Sequence, residues 1–470
     1  MKLGLCETRG VALVWTIALG CTASDDGDSG QLPTTTTATT SGTTGGSTDG
    51  APMETSEGKG TTDACPAGSA MCPCRPDSSC DGELVCDLGL CQMADVDGTS
   101  TGVTDSTAED STSGSGGAGV CGNGNPEPGD FCFAMASTPF AMGPGTRAVA
   151  LGTIDGDANI DAVTANNTDS TLSYRPGNGN GGFGVASATA VGVDPVDIAL
   201  GDFNNDGNLD VVTINVTDGN MTTLAGLGNG MFGAATPNAI GMTPTAVVTF
   251  DVDNDMDDDI LITEMTTNSV ILRRAAGIGF QPADVFAVGE APAALVVADL
   301  SGDMVPDILT ANSSSTVSLL LGNGVGDFGG ASTTSAGNGP VAVGAGDFNG
   351  DGDVDALLVN PTDSQIAVLL GNGIGGFGGQ LPLDAGFTPR AVVVGDFDLD
   401  GDDDAAVASS GDDMLLLYRN EGNALQLFGM VGVGDGPVDV AAADLNNDGL
   451  LDLVTANETG GNISVLLSEA

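Results

Sequence analysis

Seven acidic loops of nine residues, spaced 48 or 49 residues apart, period-2 apolar runs between them, and a last repeat one strand short predict an all-β fold. The expected architecture is a seven-bladed β-propeller behind a disordered N-terminal stalk and a small disulfide-rich module. The composition agrees. Among 470 residues there are 74 glycines, and the only Trp is Trp15, so turns and small-residue packing dominate. The chain carries 64 acidic and 10 basic residues, no His, and a net charge of −54. That balance excludes a phosphate-binding surface, and with it nucleic acid and anionic lipid headgroups as partners. Metal cations are the charged partners that remain.

In chain order, residues 1–20 read as a signal peptide: Lys2 and Arg9 precede the apolar run VALVWTIALG at 11–20. Ten apolar residues are too few to span a bilayer. The ending ALGC resembles a bacterial lipobox, although Ala18 and Leu19 reverse its usual large-then-small order. The resemblance implies lipidation of Cys21, which would make the N-terminal anchor the only membrane contact. Plain cleavage with an unmodified or disulfide-bonded Cys21 is the alternative. Residues 21–64 and 93–119 are Thr-, Ser-, Gly- and Asp-rich linkers with too little apolar content to offset ordering entropy. They are expected to be disordered and to act as a hydrophilic stalk.

Between the linkers, residues 65–92 hold Cys65, Cys72, Cys74, Cys80, Cys86 and Cys91. Outside the cytoplasm, this density reads as a small disulfide module. Zinc is the rival, weakened by irregular spacing and the absence of His. Residues 120–132 form a short segment with Cys121 and Cys132 available to bridge. The piece CGNGNPEPGDFC resembles the cysteine-rich modules of myxobacterial surface proteins.

Residues 133–470 are the repeat domain. The loops end at Asp161, Asp210, Asp259, Asp307, Asp355, Asp404 and Asp452. A Phe after each Gly-rich turn keeps the same period: Phe183, Phe232, Phe280, Phe328, Phe377 and Phe428. Each repeat reads as four short strands separated by turns. The last repeat stops at its third strand, NISVLLSEA. The segment FAMASTPFAMG, starting at Phe133, is expected to supply the missing fourth strand and to bring the seventh Phe. Such closure leaves no open blade edge. A solenoid is the alternative, and it would not need this strand exchange.

The pattern D-x-[DN]-x-D-G-x-x-D, preceded by GDF and followed by an apolar strand, resembles the FG-GAP or VCBS repeat over residues 133–470. That repeat builds the propeller of integrin α-subunits and occurs in many bacterial surface proteins. WD and kelch repeats fit less well, because their Trp and Tyr markers are missing. The resemblance implies calcium in the loops. Oxygens at positions 1, 3, 5 and 9, with a backbone carbonyl at 7, suit Ca²⁺ better than the strictly octahedral Mg²⁺.

The expected ligands in loop 2 are Asp202, Asn204, Asp206 and Asp210, and in loop 5 Asp347, Asn349, Asp351 and Asp355. Loop 7 offers Asp444, Asn446, Asp448 and Asp452. Loops 3 and 6 offer four carboxylates each: Asp251, Asp253, Asp255 and Asp259, and Asp396, Asp398, Asp400 and Asp404. Loop 4 uses Asp299, Ser301, Asp303 and Asp307. Loop 1 starts with Thr153 and keeps Asp155, Asp157 and Asp161. Gly at position 6 is replaced by Met256, Met304 and Ala158 in loops 3, 4 and 1, and loops 1 and 4 are expected to bind weakest. The seven windows hold 28 of the chain's 64 acidic residues, a density that repels itself without cations. The plainer alternative is a set of solvated Asp/Asn turns.

Two functional classes compete. The first is a non-enzymatic adhesion or scaffold module, exported to the outer membrane, the cell surface or the medium. It would bind an extracellular protein or polysaccharide through the Asn/Thr/Ser turns between strands 2 and 3. The second is an extracellular polysaccharide hydrolase or lyase. Residues 133–470 contain no His, Cys, Lys or Trp, so nucleophile–base dyads lack obvious members.

Overall fold

A computed structural model describes residues 132–135 and 139–469, except 278 and 423, together with three short upstream strands. The upstream strands, Cys72–Pro73, Leu84–Asp87 and Leu90–Met93, form an antiparallel sheet in the order first, third, second. They fall in the six-cysteine segment. The signal segment, Cys21, both linkers and Cys121 lie outside the described residues.

From residue 132 onward every element is a strand, and the strands form seven antiparallel sheets. Blade 2 is typical: Pro195–Gly201, Asp210–Asn215, Asn220–Leu224 and Thr236–Ala239, paired in sequence order. We number the strands of each blade 1 to 4 in that order. First strands of neighbouring blades lie against one another around the whole ring, including Pro437–Ala443 of blade 7 against Thr146–Gly152 of blade 1. The array is therefore closed, and the solenoid alternative is excluded.

Burial explains the sequence pattern. Strand 2 has a sheet neighbour on each side and another blade on each face. All six of its residues are buried in every blade. Between its first Asp and its polar last residue it therefore reads as a largely apolar run. Seven hydrophobic clusters form the core, one at each blade–blade interface. The core is thus a ring of contacts between blades.

The seam closes as the truncated last repeat requires. Cys132–Met135 pairs antiparallel with Asn462–Glu469 as the fourth strand of blade 7. Phe140–Ala141 extends that edge by pairing with Ile463 and Asn462. Phe133 stands opposite Ser468, as Phe377 stands opposite Gly371 in blade 5 and Phe232 opposite Gly226 in blade 2. It is therefore the seventh Phe. Phe428 is a correction: Leu425 stands opposite Asn420 at that register in blade 6, and Phe428 lies further along strand 4, partly exposed. Leu425 supplies the apolar bulk from a turn that carries no Phe.

Marker Phe rings fasten blades 2, 3, 4 and 7 to the blade before them. Phe232 packs edge-to-face on Tyr174, Phe280 on Phe203, Phe328 on Phe286 and Phe133 on Phe397, with centroids 5.5 to 6.0 Å apart. Each such pair adds about 1 kcal/mol beyond its buried area.

Candidate metal centres

The acidic loops connect strand 1 to strand 2, so all seven lie on one face of the ring. Each loop folds on its own carboxylates. In loops 2 to 7 the first Asp accepts the N–H of position 5 with Oδ1 and the N–H of position 6 with Oδ2. In loop 5 these donors are Asp351 at 3.3 Å and Gly352 at 2.8 Å from Asp347. Asp202, Asp251, Asp299, Asp396 and Asp444 do the same. The Asp at position 5 then accepts the N–H of position 7, as Asp206 does from Asn208 at 2.9 Å. Loop 1 has Thr153 in first place, and Asp155 accepts the Asp157 N–H instead.

This winding puts two residues of loops 2 to 7 in the left-handed region. Position 6 has φ of 84° at Gly207, 76° at Met256, 64° at Met304 and 93° at Gly401. Position 4 is left-handed in all seven loops: Gly156, Asn205, Asn254, Gly302, Gly350, Leu399 and Asn447. Gly or Asn fills that place in six of the seven loops, a signal the sequence reading passed over. At Gly350 a Cβ would stand 2.6 Å from the Gly422 carbonyl oxygen of the next blade. Met256, Met304 and Leu399 are therefore strained, and their side chains are mostly exposed. Met256→Gly, Met304→Gly and Leu399→Gly are each expected to raise stability by about 0.5–1 kcal/mol. Urea melts of the three variants check this; a loss of stability at all three would contradict the strain.

The ninth residue has a structural duty. Asp161, Asp210, Asp259, Asp307, Asp355, Asp404 and Asp452 are each at most 2% exposed. In every case Oδ2 accepts the N–H at position 2 of the same loop, and Oδ1 accepts an N–H at the end of strand 3. For Asp355 the donors are Phe348 at 3.1 Å and Gly371 at 2.6 Å; the other six repeat the pair. These carboxylates staple each loop to its blade. Burial raises their pKa, against the pull of the donated N–H groups. Asp210, Asp355 and Asp452 are pushed up to about 6, Asp259 to about 7 and Asp404 to about 8.

Carboxylate oxygens of three residues meet within 4.8 Å of one another in loop 1 (Asp155, Asp157, Asp161), loop 3 (Asp251, Asp253, Asp255) and loop 6 (Asp396, Asp398, Asp404). Loop 1, expected among the weakest, thus gathers all its acids. At position 3, Asp253 Oδ1 is a buried atom with no hydrogen-bond partner. An orphaned buried oxygen costs free energy unless a partner arrives. A cation coordinated by these loops supplies one, so the donor set fits a metal ion.

Blades 3 and 6 carry further links absent from the sequence reading. Asp258 Oδ2 accepts the Asp202 N–H at 2.8 Å, and Asp403 Oδ2 accepts the Asp347 N–H at 2.9 Å, so position 8 ties each loop to the preceding one. Asp197 and Asp439 occupy a strand 1 register that is Ala148, Ala246, Ala294, Ala342 and Ala391 in the other blades. Each accepts an N–H from the next blade, Val247 or Val149. Burial, aided for Asp197 by the charge of Asp439, pushes them up to about 7 and about 6.

On the opposite face, the 2–3 turns are built around buried amides. Asn166, Asn215, Asn312 and Asn457 end strand 2, and each Nδ2 donates to a Ser or Thr hydroxyl two residues into strand 3. These Asn side chains are internal braces and are withdrawn from any binding surface. At the seam, a cleft of about 590 Å³ lies between Ala141–Gly145, Asn167, Thr168 and 458–461. Its ionisable lining residue, Glu458, is 3.0 Å from Arg147.

Residues 299–358, 347–407 and 396–455 match the FG-GAP-like repeat family. No curated protein matches the sequence. Similar solved structures include BBS1N in complex with ARL6DN, at 14% identity and a TM-score of 0.51, over 72% of this chain and 97% of that one. Streptogramin B lyase is 13% identical with a TM-score of 0.47 over 72% and 97%. An Agrocybe aegerita lectin is 16% identical with a TM-score of 0.41 over 72% and 91%. At such identities the likeness to BBS1N shows the fold alone.

Proposed function

We propose that a propeller carrying FG-GAP-like repeats, with loops wound on carboxylates in this way, is a calcium-dependent binding or scaffold module. The observation that supports this most is the orphaned buried oxygen at position 3 of loop 3, Asp253 Oδ1, inside a loop already rich in carboxylate. Calcium is favoured because the donors are all oxygen and mix carboxylate, amide and hydroxyl. Positions 1, 3, 5 and 9 would hold the ion, which neutralises loops that otherwise repel themselves.

The module is read as non-enzymatic. Its seam cleft is lined by glycine backbone, Asn, Thr and an ion-paired Glu458, a surface suited to contact rather than proton transfer. The partner class is an extracellular protein or polysaccharide. The N-terminal signal, the Ser/Thr-rich stalk and Cys21 support display outside the cell, on the outer membrane or cell surface if Cys21 is lipidated.

Each filled loop contributes about 2.7 kcal/mol at a hundredfold excess of free ion over Kd. Millimolar Ca²⁺ is therefore expected to raise the melting temperature by about 10 °C or more relative to EGTA. Retention on a glycan array or by an extracellular protein should be lost in EGTA. A thermal scan identical in Ca²⁺ and EGTA would remove calcium from the reading.

A further inference from the structure

Loops 3 and 6 break the repeat in two places at once. Both have Asp at position 3, giving four carboxylates at positions 1, 3, 5 and 9. Both also have an arginine at the end of strand 3, Arg274 and Arg419, where the other blades have Pro176, Ala225, Leu321, Leu370 and Leu467. The fold brings the two departures together. Arg419 Nε stands 2.8 Å from Asp398 Oδ2, and Nη2 stands 3.8 Å from Asp400 Oδ2. The Asp398 side chain is fully buried and that of Arg419 is 24% exposed. The close contact lies off the N–H direction, so it is Coulombic rather than an aligned hydrogen bond. In blade 3, Arg274 Nε is 3.8 Å from Asp253 Oδ2, and the same guanidinium reaches Asp284 and the Gly326 carbonyl of blade 4.

We propose that Arg274 and Arg419 are resident counter-cations that offset the extra carboxylate at position 3, so that positions 1, 3, 5 and 9 carry the same formal net charge in all seven loops. Loops 1, 2, 4, 5 and 7 place three carboxylates and one neutral side chain at the four positions. Loops 3 and 6 place four, and one arginine offsets the fourth. Counted over these four positions, the formal net charge is −3 in every loop. Asp398 with Arg419 thus takes the place of Asn349 beside Leu370 in blade 5. At these four positions the two most acidic loops are then no more negative than their neighbours. Without the arginine, a buried carboxylate would face its like-charged neighbours uncompensated, a costly arrangement in a weakly screened site. The part of this inference that concerns metal affinity rests on the proposed function; the pairing itself does not.

The test compares the full chain with Arg419→Leu and with Arg419→Leu combined with Asp398→Asn, all in EGTA. Arg419→Leu is expected to lower the melting temperature by about 5 °C. The double variant reproduces the blade 5 arrangement and is expected to return to within about 1–2 °C of the parent. In Ca²⁺ titrations, the single variant should gain at least one site bound about tenfold more tightly, and the double variant should not. An Arg419→Leu chain that fails to fold while the double variant folds supports the pairing. Unchanged melting of Arg419→Leu in EGTA, or failure of Asp398→Asn to restore it, overturns the proposal, as does failure of both variants to fold. A parent that ignores Ca²⁺ would remove the calcium reading and leave the comparison in EGTA intact.

Discussion

Asp355→Ala is expected to destabilise the protein by about 3–5 kcal/mol, and to do so in EGTA as well as in Ca²⁺. The carboxylate is fully buried and accepts backbone N–H groups from both Phe348 and Gly371. Alanine leaves two backbone donors without a partner, at about 1–3 kcal/mol each. It also frees the loop from the end of strand 3, while the backbone pairing of strands 2 and 3 remains. Asp355→Asn keeps one acceptor and is expected to cost about half as much. Chemical denaturation with and without chelator separates the two duties of the residue. A ligand-only role would make the cost vanish in EGTA. Parent-like unfolding of Asp355→Ala in EGTA would show that the staple contributes nothing.

Deleting residues 1–141 is expected to abolish the monomeric folded ring. The deletion removes Cys132–Met135 and Phe140–Ala141, the strands that close blade 7. The third strand of that blade, Asn462–Glu469, would become a naked edge with unpaired N–H and C=O groups, a template for association. Phe133 would also leave its place against Phe397 in the cluster between blades 6 and 7. Phe133→Ala isolates that packing loss, and is expected to cost about 3–5 kcal/mol while leaving the backbone pairing in place. Size-exclusion chromatography and near-ultraviolet circular dichroism read both variants. A truncated chain that elutes as a monomer with parent-like tertiary signal would show that closure is dispensable.

Much of this architecture was legible because it is local and periodic. The Asp at loop positions 1 and 5 caps N–H groups two to five residues ahead, so the spacing of the motif encodes the winding directly. Strand 2 is largely apolar between its terminal Asp and its polar last residue because both its faces are covered, and that too is a local pattern. Phe133 could be matched to the missing turn because the last repeat visibly stops short. Phe428 misled because a periodic marker was followed where the turn itself had changed, and Leu425 took its structural place. Position 4 was open to reading, since Gly or Asn occurs there in every loop except the one with Leu399.

From the sequence alone came the blade number, the order of strands and the seven acidic loops, because each follows from residues within a few positions of one another. Which carboxylate oxygens staple the backbone was decided only by tertiary structure. Asp355 meets Gly371 across a hairpin, Asp403 meets Asp347 across a blade boundary, and Arg419 meets Asp398 from a different strand. The first and last of these meetings depend on how the strands of one blade are held in register, and the second on how neighbouring blades pack.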